Sequence, residues 1–223
     1  CNGQGSDEGR AMLQIIHDIA PMASLAFRSG FFSEGDFAGG IKELHQAGCD
    51  IIVDDISYIT EPFFQDGQVA KAVDYVTANG ATYFSAAGNY GNKSYQHVFV
   101  PGSFNAHNFG GGDELQNISL KPGSYTIVLQ WDDFIYSNGQ ATGARNDLDI
   151  YLINDTGSVL LGTNRNNIGG DPIEVLPFNV SSTTTTNIKV VRASGTDNVN
   201  FKYVVFRGDI PINEHNEGNS TIV

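Results

Sequence analysis

Basic residues are scarce. There are 12 Lys and Arg against 25 Asp and Glu, a formal net charge of -13. Phosphate backbones are bound by clustered cations that release counterions, so the balance argues against a nucleic-acid partner. Apolar runs are short, and none approaches the roughly 20 residues of a membrane span. Cysteine is almost missing, with only Cys1 and Cys49. That excludes a disulfide framework and leaves either one bridge or two free thiols. No leader is readable before Cys1, and the sequence reads as beginning within a fold. His17, His45, His97, His107 and His215 show no metal-ligand spacing. A 40% hydrophobic fraction is enough to bury a core. The acidic surplus fits a secreted or extracellular protein, at the cell surface or free, that could take calcium. The plainer reading is a solubilising surface charge.

Two textures follow one another. Residues 1–107 alternate helical and strand-like segments. Glu8–Asp18 carries an apolar stripe of Met12, Ile15, Ile16 and Ile19. Ser6 or Asp7 is a suitable N-cap, and Pro21 follows the end. Ser24–Phe27 reads as a short strand. Asp36–Ala47 reads as a helix closed by Gly48, and Gly67–Ala78 as another, ended by Asn79-Gly80. Asp50–Val53 and Ala81–Ala87 are apolar runs typical of strands buried on both faces. This order predicts parallel βαβ units, whose ligands bind beyond the carboxyl ends of the strands, at Asp54-Asp55 and Gly88-Asn89. From 108 to 208 helical periodicity vanishes. Short alternating strands appear at Ser124–Trp131, Leu148–Ile153, Ser158–Thr163, Thr185–Arg192 and Phe201–Phe206, separated by turn signals. This predicts a β-sandwich or jelly roll. Residues 209–223 read as a return segment toward the first domain.

Two stretches carry a family resemblance. One is Asp7-Glu8-Gly9-Arg10-Ala11-Met12 followed by His17-Asp18-Ile19-Ala20-Pro21. The other is Gly80–Asn89, ending Ala86-Ala87-Gly88-Asn89. Over residues 6–95 the chain resembles the subtilisin-type serine peptidases. Those have a catalytic histidine at a helix start and an Ala-Ala-Gly-Asn strand end whose asparagine donates to the oxyanion. The histidine position holds Glu8, which resembles the sedolisins built on the same fold. Met12 then stands where a sedolisin has its aspartate, and Asn89 where it has aspartate at the oxyanion position, so the two patterns are mixed. The resemblance implies a partial subtilisin-like α/β parallel-sheet domain over 1–107, interrupted by an all-β sandwich over 108–208. Leu129-Gln130-Trp131-Asp132 and Asp147-Leu148-Asp149-Ile150-Tyr151-Leu152 make that second part similar to the pre-peptidase C-terminal type of accessory domain. The nucleophilic Gly-Thr-Ser motif of these families does not occur. Ser220, in Gly218-Asn219-Ser220-Thr221, does not match it.

The candidate residues follow. Glu8, at a helix N-terminus, is the implied general base, or a capping acid favoured by the dipole. Asn89 is the implied oxyanion donor, or a turn asparagine. Asp54 and Asp55 point to opposite faces. They are candidates for binding substrate or calcium, or for replacing the missing carboxylate partner, with Asp55 placed among the catalytic set. Glu61 and Asp66 are candidates for the rim of the same cleft. Asp147 and Asp149 project from one face of a strand, with Asp132-Asp133 near in sequence, and clustered oxygens suit calcium. A solvated acidic face is the plainer alternative. The expected function is part of a secreted serine endopeptidase acting on protein or peptide substrates. It would need the remainder of the peptidase domain, including the serine. The competing expectation is a non-catalytic binding or adhesion module, or a pseudo-peptidase, working through the sandwich.

Overall fold

The computed structural model describes residues 7–208. Cys1, His215, Ser220 and the expected return segment lie outside the described residues. The chain divides into two compact units. Among the described residues the first takes 7–56 and 68–86, and the second takes 57–67 and 87–208.

The first unit contains α1 (Glu8–Ile19), α2 (Glu34–Gln46), β1 (Ile51–Asp54), α3 (Gln68–Ala78) and β2 (Thr82–Ser85). Helix α2 starts where Ser33 Oγ accepts the Asp36 N–H at 3.1 Å, a standard way of satisfying an orphan donor. It closes on Gly48, whose φ of +93° is left-handed and costs glycine little. Strands β1 and β2 pair in parallel and in register, from Ile51 opposite Thr82 to Asp54 opposite Ser85. Ile52 is buried on one face, where α2 and α3 bury Phe37, Ile41, Val69, Ala72 and Val76. The opposite face is bare: Ile51 is 65%, Val53 45% and Phe84 56% exposed. Helix α1 buries no residue.

This corrects the expected fold class. The described residues hold three α-helices and a parallel sheet of only two strands, and the molecule is mostly antiparallel β. They form no parallel-sheet, subtilisin-like core. Apolar runs at strand-like spacing cannot reveal how many partners a strand will find. Ser24–Phe27 finds none and is not a strand.

The second unit is a sandwich of two four-stranded antiparallel sheets. Its strands are β3 (Ser94–Val98), β4 (Gln116–Leu120), β5 (Gly123–Trp131), β6 (Asp147–Ile153), β7 (Val159–Thr163), β8 (Ile173–Val180), β9 (Thr184–Ser194) and β10 (Asn200–Arg207). One sheet runs β3-β10-β5-β8 and the other β4-β9-β6-β7. Alternation sends Ile127, Leu129 and Trp131 of β5 and Phe201, Tyr203 and Val205 of β10 inward. They meet Leu148, Ile150 and Leu152 of β6 and Ile188 and Val190 of β9. Trp131 is fully buried and its indole N–H donates to the Asn146 carbonyl at 3.1 Å. Side chains of this size each contribute roughly 1.5–3 kcal/mol on burial. No described helix is long and apolar enough to cross a membrane.

Candidate functional site

Parallel pairing brings the carboxyl ends of β1 and β2 to one edge. There Asp54 is buried. Its Oδ1 accepts the Ser85 hydroxyl at 3.1 Å and the Ile56 N–H at 3.2 Å. The Asp54 carbonyl accepts the Ala86 N–H. Burial, then the neighbouring Asp54 carboxylate, pushes the Tyr83 phenol far above the usual tyrosine range. Tyr83 Oη and Asp54 Oδ2 are both buried, and neither makes a hydrogen bond of good geometry. The edge presents a fixed carboxylate, a hydroxyl and a phenol that stays protonated. No imidazole stands among these three to turn Ser85 into a nucleophile.

Asp55 is the next residue, lies just past the end of β1 and is exposed. Glu8 is exposed in the first turn of α1, beside an Arg10–Asp7 ion pair in which Arg10 Nε reaches Asp7 at 2.8 Å. Asn89 is exposed and belongs to the second unit, four residues after β2 ends.

Residues 57–67, which join β1 to α3 in the chain, are strapped onto the sandwich. Gln130 lies on β5 between the core residues Leu129 and Trp131, so it points away from the core. Its Oε1 accepts the Phe63 N–H at 3.0 Å and its amide donates to the Glu61 carbonyl at 3.0 Å. Lys202, opposite Gln130 in the ladder, sits over the Phe63 ring at 5.5 Å. Burial pulls its ammonium down to about 8. Gln65 donates to the Asp133 carbonyl, and Asn138 to the Asp66 carbonyl. Glu61 is buried within this strap, packed so tightly on Gly67 that a side chain there would collide with the carboxylate. Asp66 is exposed.

Asp132 is exposed at the end of β5, whereas Asp147 and Asp149 are buried on β6, in the other sheet. Asp147 Oδ1 accepts the Asn167 N–H at 3.2 Å, and Asp149 Oδ2 accepts the Tyr151 hydroxyl at 2.8 Å. Burial, and then the charges of Asp147 and Glu174, push the Asp149 carboxyl up to about 6. Glu174, fully buried, is also raised, by burial first. Among the described residues no group of three or more Asp, Glu, His or Cys is placed to hold a metal ion.

Sequence reasoning missed Glu174 and Asn167, and the part that Asp133 plays. Burial would raise Asp133, but the Asn146 amide and the N–H groups of Phe134, Arg145 and Asn146 outweigh it and hold the carboxyl low. Three of these donors converge on Oδ2 at 2.8–2.9 Å. The Asp132-Asp133 pair marked the place, but nothing in the sequence says that its second member accepts from donors 12 and 13 residues away.

No family model matches the chain, and no curated protein does. Among solved structures it is similar to the Clostridium perfringens CspB protease, at 12% identity and a TM-score of 0.45, over 86% of this chain and 42% of that one. It is similar also to DesR, a beta-glucosidase from Streptomyces venezuelae, at 12% identity and a TM-score of 0.37, over 86% and 27%. A third is infectious bursal disease virus Gt strain, at 14% identity and a TM-score of 0.23, over 56% and 30%. These are weak likenesses of shape. This chain spans less than half the length of each.

Proposed function

We propose that this chain is part of a secreted serine-type endopeptidase of the subtilisin/sedolisin kind, with the nucleophilic serine supplied by polypeptide outside it. The observation that carries the reading is the pairing of β1 with β2. Two parallel strands in register end together at Asp54 and Ser85, and the chain continues through Ala86-Ala87-Gly88 to Asn89. The bare apolar face of this pair supports it, because parallel sheets are covered on both faces and Ile51, Val53 and Phe84 call for a further layer. In this reading the serine oxygen attacks the scissile carbonyl and its proton passes to Glu8. The Asn89 amide donates to the oxyanion, Asp55 replaces the carboxylate that orients the base, and Asp54 lines the substrate edge. In the same reading Glu61 and Asp66 are assigned to substrate binding.

The test compares this chain with the longest natural polypeptide that contains it. Casein hydrolysis is followed from about pH 3 to pH 9, with fluorophosphonate labelling of the nucleophile. The expected result is no turnover by this chain alone, and turnover with labelling by the longer protein. There Asn89→Ala lowers kcat about 100- to 1,000-fold. A longer protein that is neither labelled nor active overturns the reading and leaves the sandwich as a binding module.

A further inference from the structure

We propose that Asp147, Asp149 and Asn167 form a calcium site on β6, closed by the connection between β7 and β8. Leu148, Ile150 and Leu152 of β6 lie in the sandwich core. By strand alternation Asp147 and Asp149 share the opposite face, their Cβ atoms about 7 Å apart. A solvated acidic face would leave them in water, yet each is only 5% exposed. Asn167, also 5% exposed, covers Asp147 and donates its backbone N–H to that carboxylate.

The oxygens left over point to a cation. Asp149 Oδ1 and Asn167 Oδ1 are both buried and hydrogen-bonded to nothing. The Asn167 amide nitrogen is already used, donating to the Asp171 and Ile173 carbonyls at 2.8 and 3.0 Å. That orientation fixes its oxygen as a free acceptor. Neither Asp147 nor Asp149 takes part in an ion pair among the described residues. The Arg165 guanidinium is turned to Glu174 instead, its Nε 3.6 Å away, and its side chain is mostly exposed. Buried carboxylates are ordinarily paired or bound to metal. A site of two carboxylates and an amide carbonyl on a rigid strand is suited to calcium, which accepts irregular oxygen sets completed by water. Magnesium demands near-octahedral geometry at short distance. With only two acidic ligands, affinity belongs with the weak extracellular sites, at about 0.1–1 mM.

The chain is stripped with EDTA, desalted, and melted at pH 7.5 with 0–10 mM CaCl2, ionic strength being held with KCl. In parallel, terbium luminescence is excited through tyrosine, since Tyr151 donates to Asp149. The expected result is a saturable rise in Tm of about 5 °C and saturable terbium emission displaced by calcium, with magnesium much weaker. Asp149→Asn, which keeps the shape and melts cooperatively in EDTA, abolishes both. Asn167→Leu does the same, and Asp132→Asn keeps both. No Tm rise beyond the KCl control, or a rise that survives Asp149→Asn, overturns the site and leaves protons as what neutralises the buried acids.

Discussion

His107 is the residue through which acid reaches the sandwich core. It is fully buried among Tyr95, Phe99, Phe109 and Phe201, and its Nδ1 accepts the Val100 N–H at 3.1 Å. That bond places the proton on Nε2, which faces Tyr95 Oη at 3.2 Å. Burial, and then the nearby His97, hold the ring down at about 4. A histidine lowered by folding contributes stability above its unfolded pKa of about 6.5. It loses that contribution as pH falls toward 4. Asp149 and Glu174, raised by folding, act in the opposite direction, so the total curve mixes signs. The separable quantity is the difference between wild type and His107→Gln. In urea melts from pH 7.5 to pH 4, the variant is expected to start about 1–3 kcal/mol less stable. The gap should narrow steadily below pH 6.5, and a constant gap means that His107 does not titrate in this range. Ile150, fully buried on β6, gives a simpler expectation. Ile150→Ala should cost about 2–5 kcal/mol in urea melts, as large-to-small core changes do.

At the scale of elements, the strap of residues 57–67 depends on Gln130. Gln130→Ala removes the acceptor of the Phe63 N–H and a donor to the Glu61 carbonyl, beside a half-buried Phe63 ring on which Lys202 sits. The expected cost is about 1–3 kcal/mol. The Phe63 amide should lose hydrogen-exchange protection, and limited proteolysis should open the chain between Ser57 and Gly67, while β5 amides stay protected. Unchanged exchange at Phe63 would show that other contacts hold the strap. This element marks how far the sequence was readable. The helices at Glu8, Asp36 and Gly67 were legible to within about two residues, because each had a stripe of apolar residues and a capping signal. Five sandwich strands were legible from alternation. β3, β4 and β8 were not: Ser94–Val98 and Gln116–Leu120 are short and half polar, and Pro177 interrupts β8. Pro177 is tolerated because β8 is an edge strand. Glu61 and Asp66 read as a cleft rim since nothing local in sequence records that Gln130, some 70 residues on, will hold the segment on the sandwich. The acidic pair Asp147 and Asp149 was visible from its spacing. Its burial under Asn167 was not, because a D-x-D on a strand looks the same in water and in a closed pocket.

For the whole molecule, the two units differ in how completely they hide apolar surface. The sandwich encloses its core between two sheets. The first unit leaves Ile51, Val53 and Phe84 on an open sheet face, and Ile15 and Ile19 on a helix that buries nothing. A sheet of two strands packed on one side only is marginal in water, so the units should not melt together. Hydrogen exchange is expected to show β1, β2 and α1 opening well below the free energy that protects β5, β6, β9 and β10. Native chain should bind a hydrophobic dye through the open face. Val53→Lys tests the cause directly. Val53 is 45% exposed and its neighbours Ile52 and Asp54 carry the buried face, so the change should alter stability by no more than about 0.5 kcal/mol. Dye binding should fall because a charge now interrupts the patch. The opposite outcome, a loss of several kcal/mol with dye binding unchanged, would mean that Val53 is packed in solution and that the face is already closed. In the longer polypeptide the same substitution should be costly, by about 2 kcal/mol or more, since there it would bury an unpaired ammonium. That contrast between the two contexts separates a face meant to be covered from one that merely tolerates water.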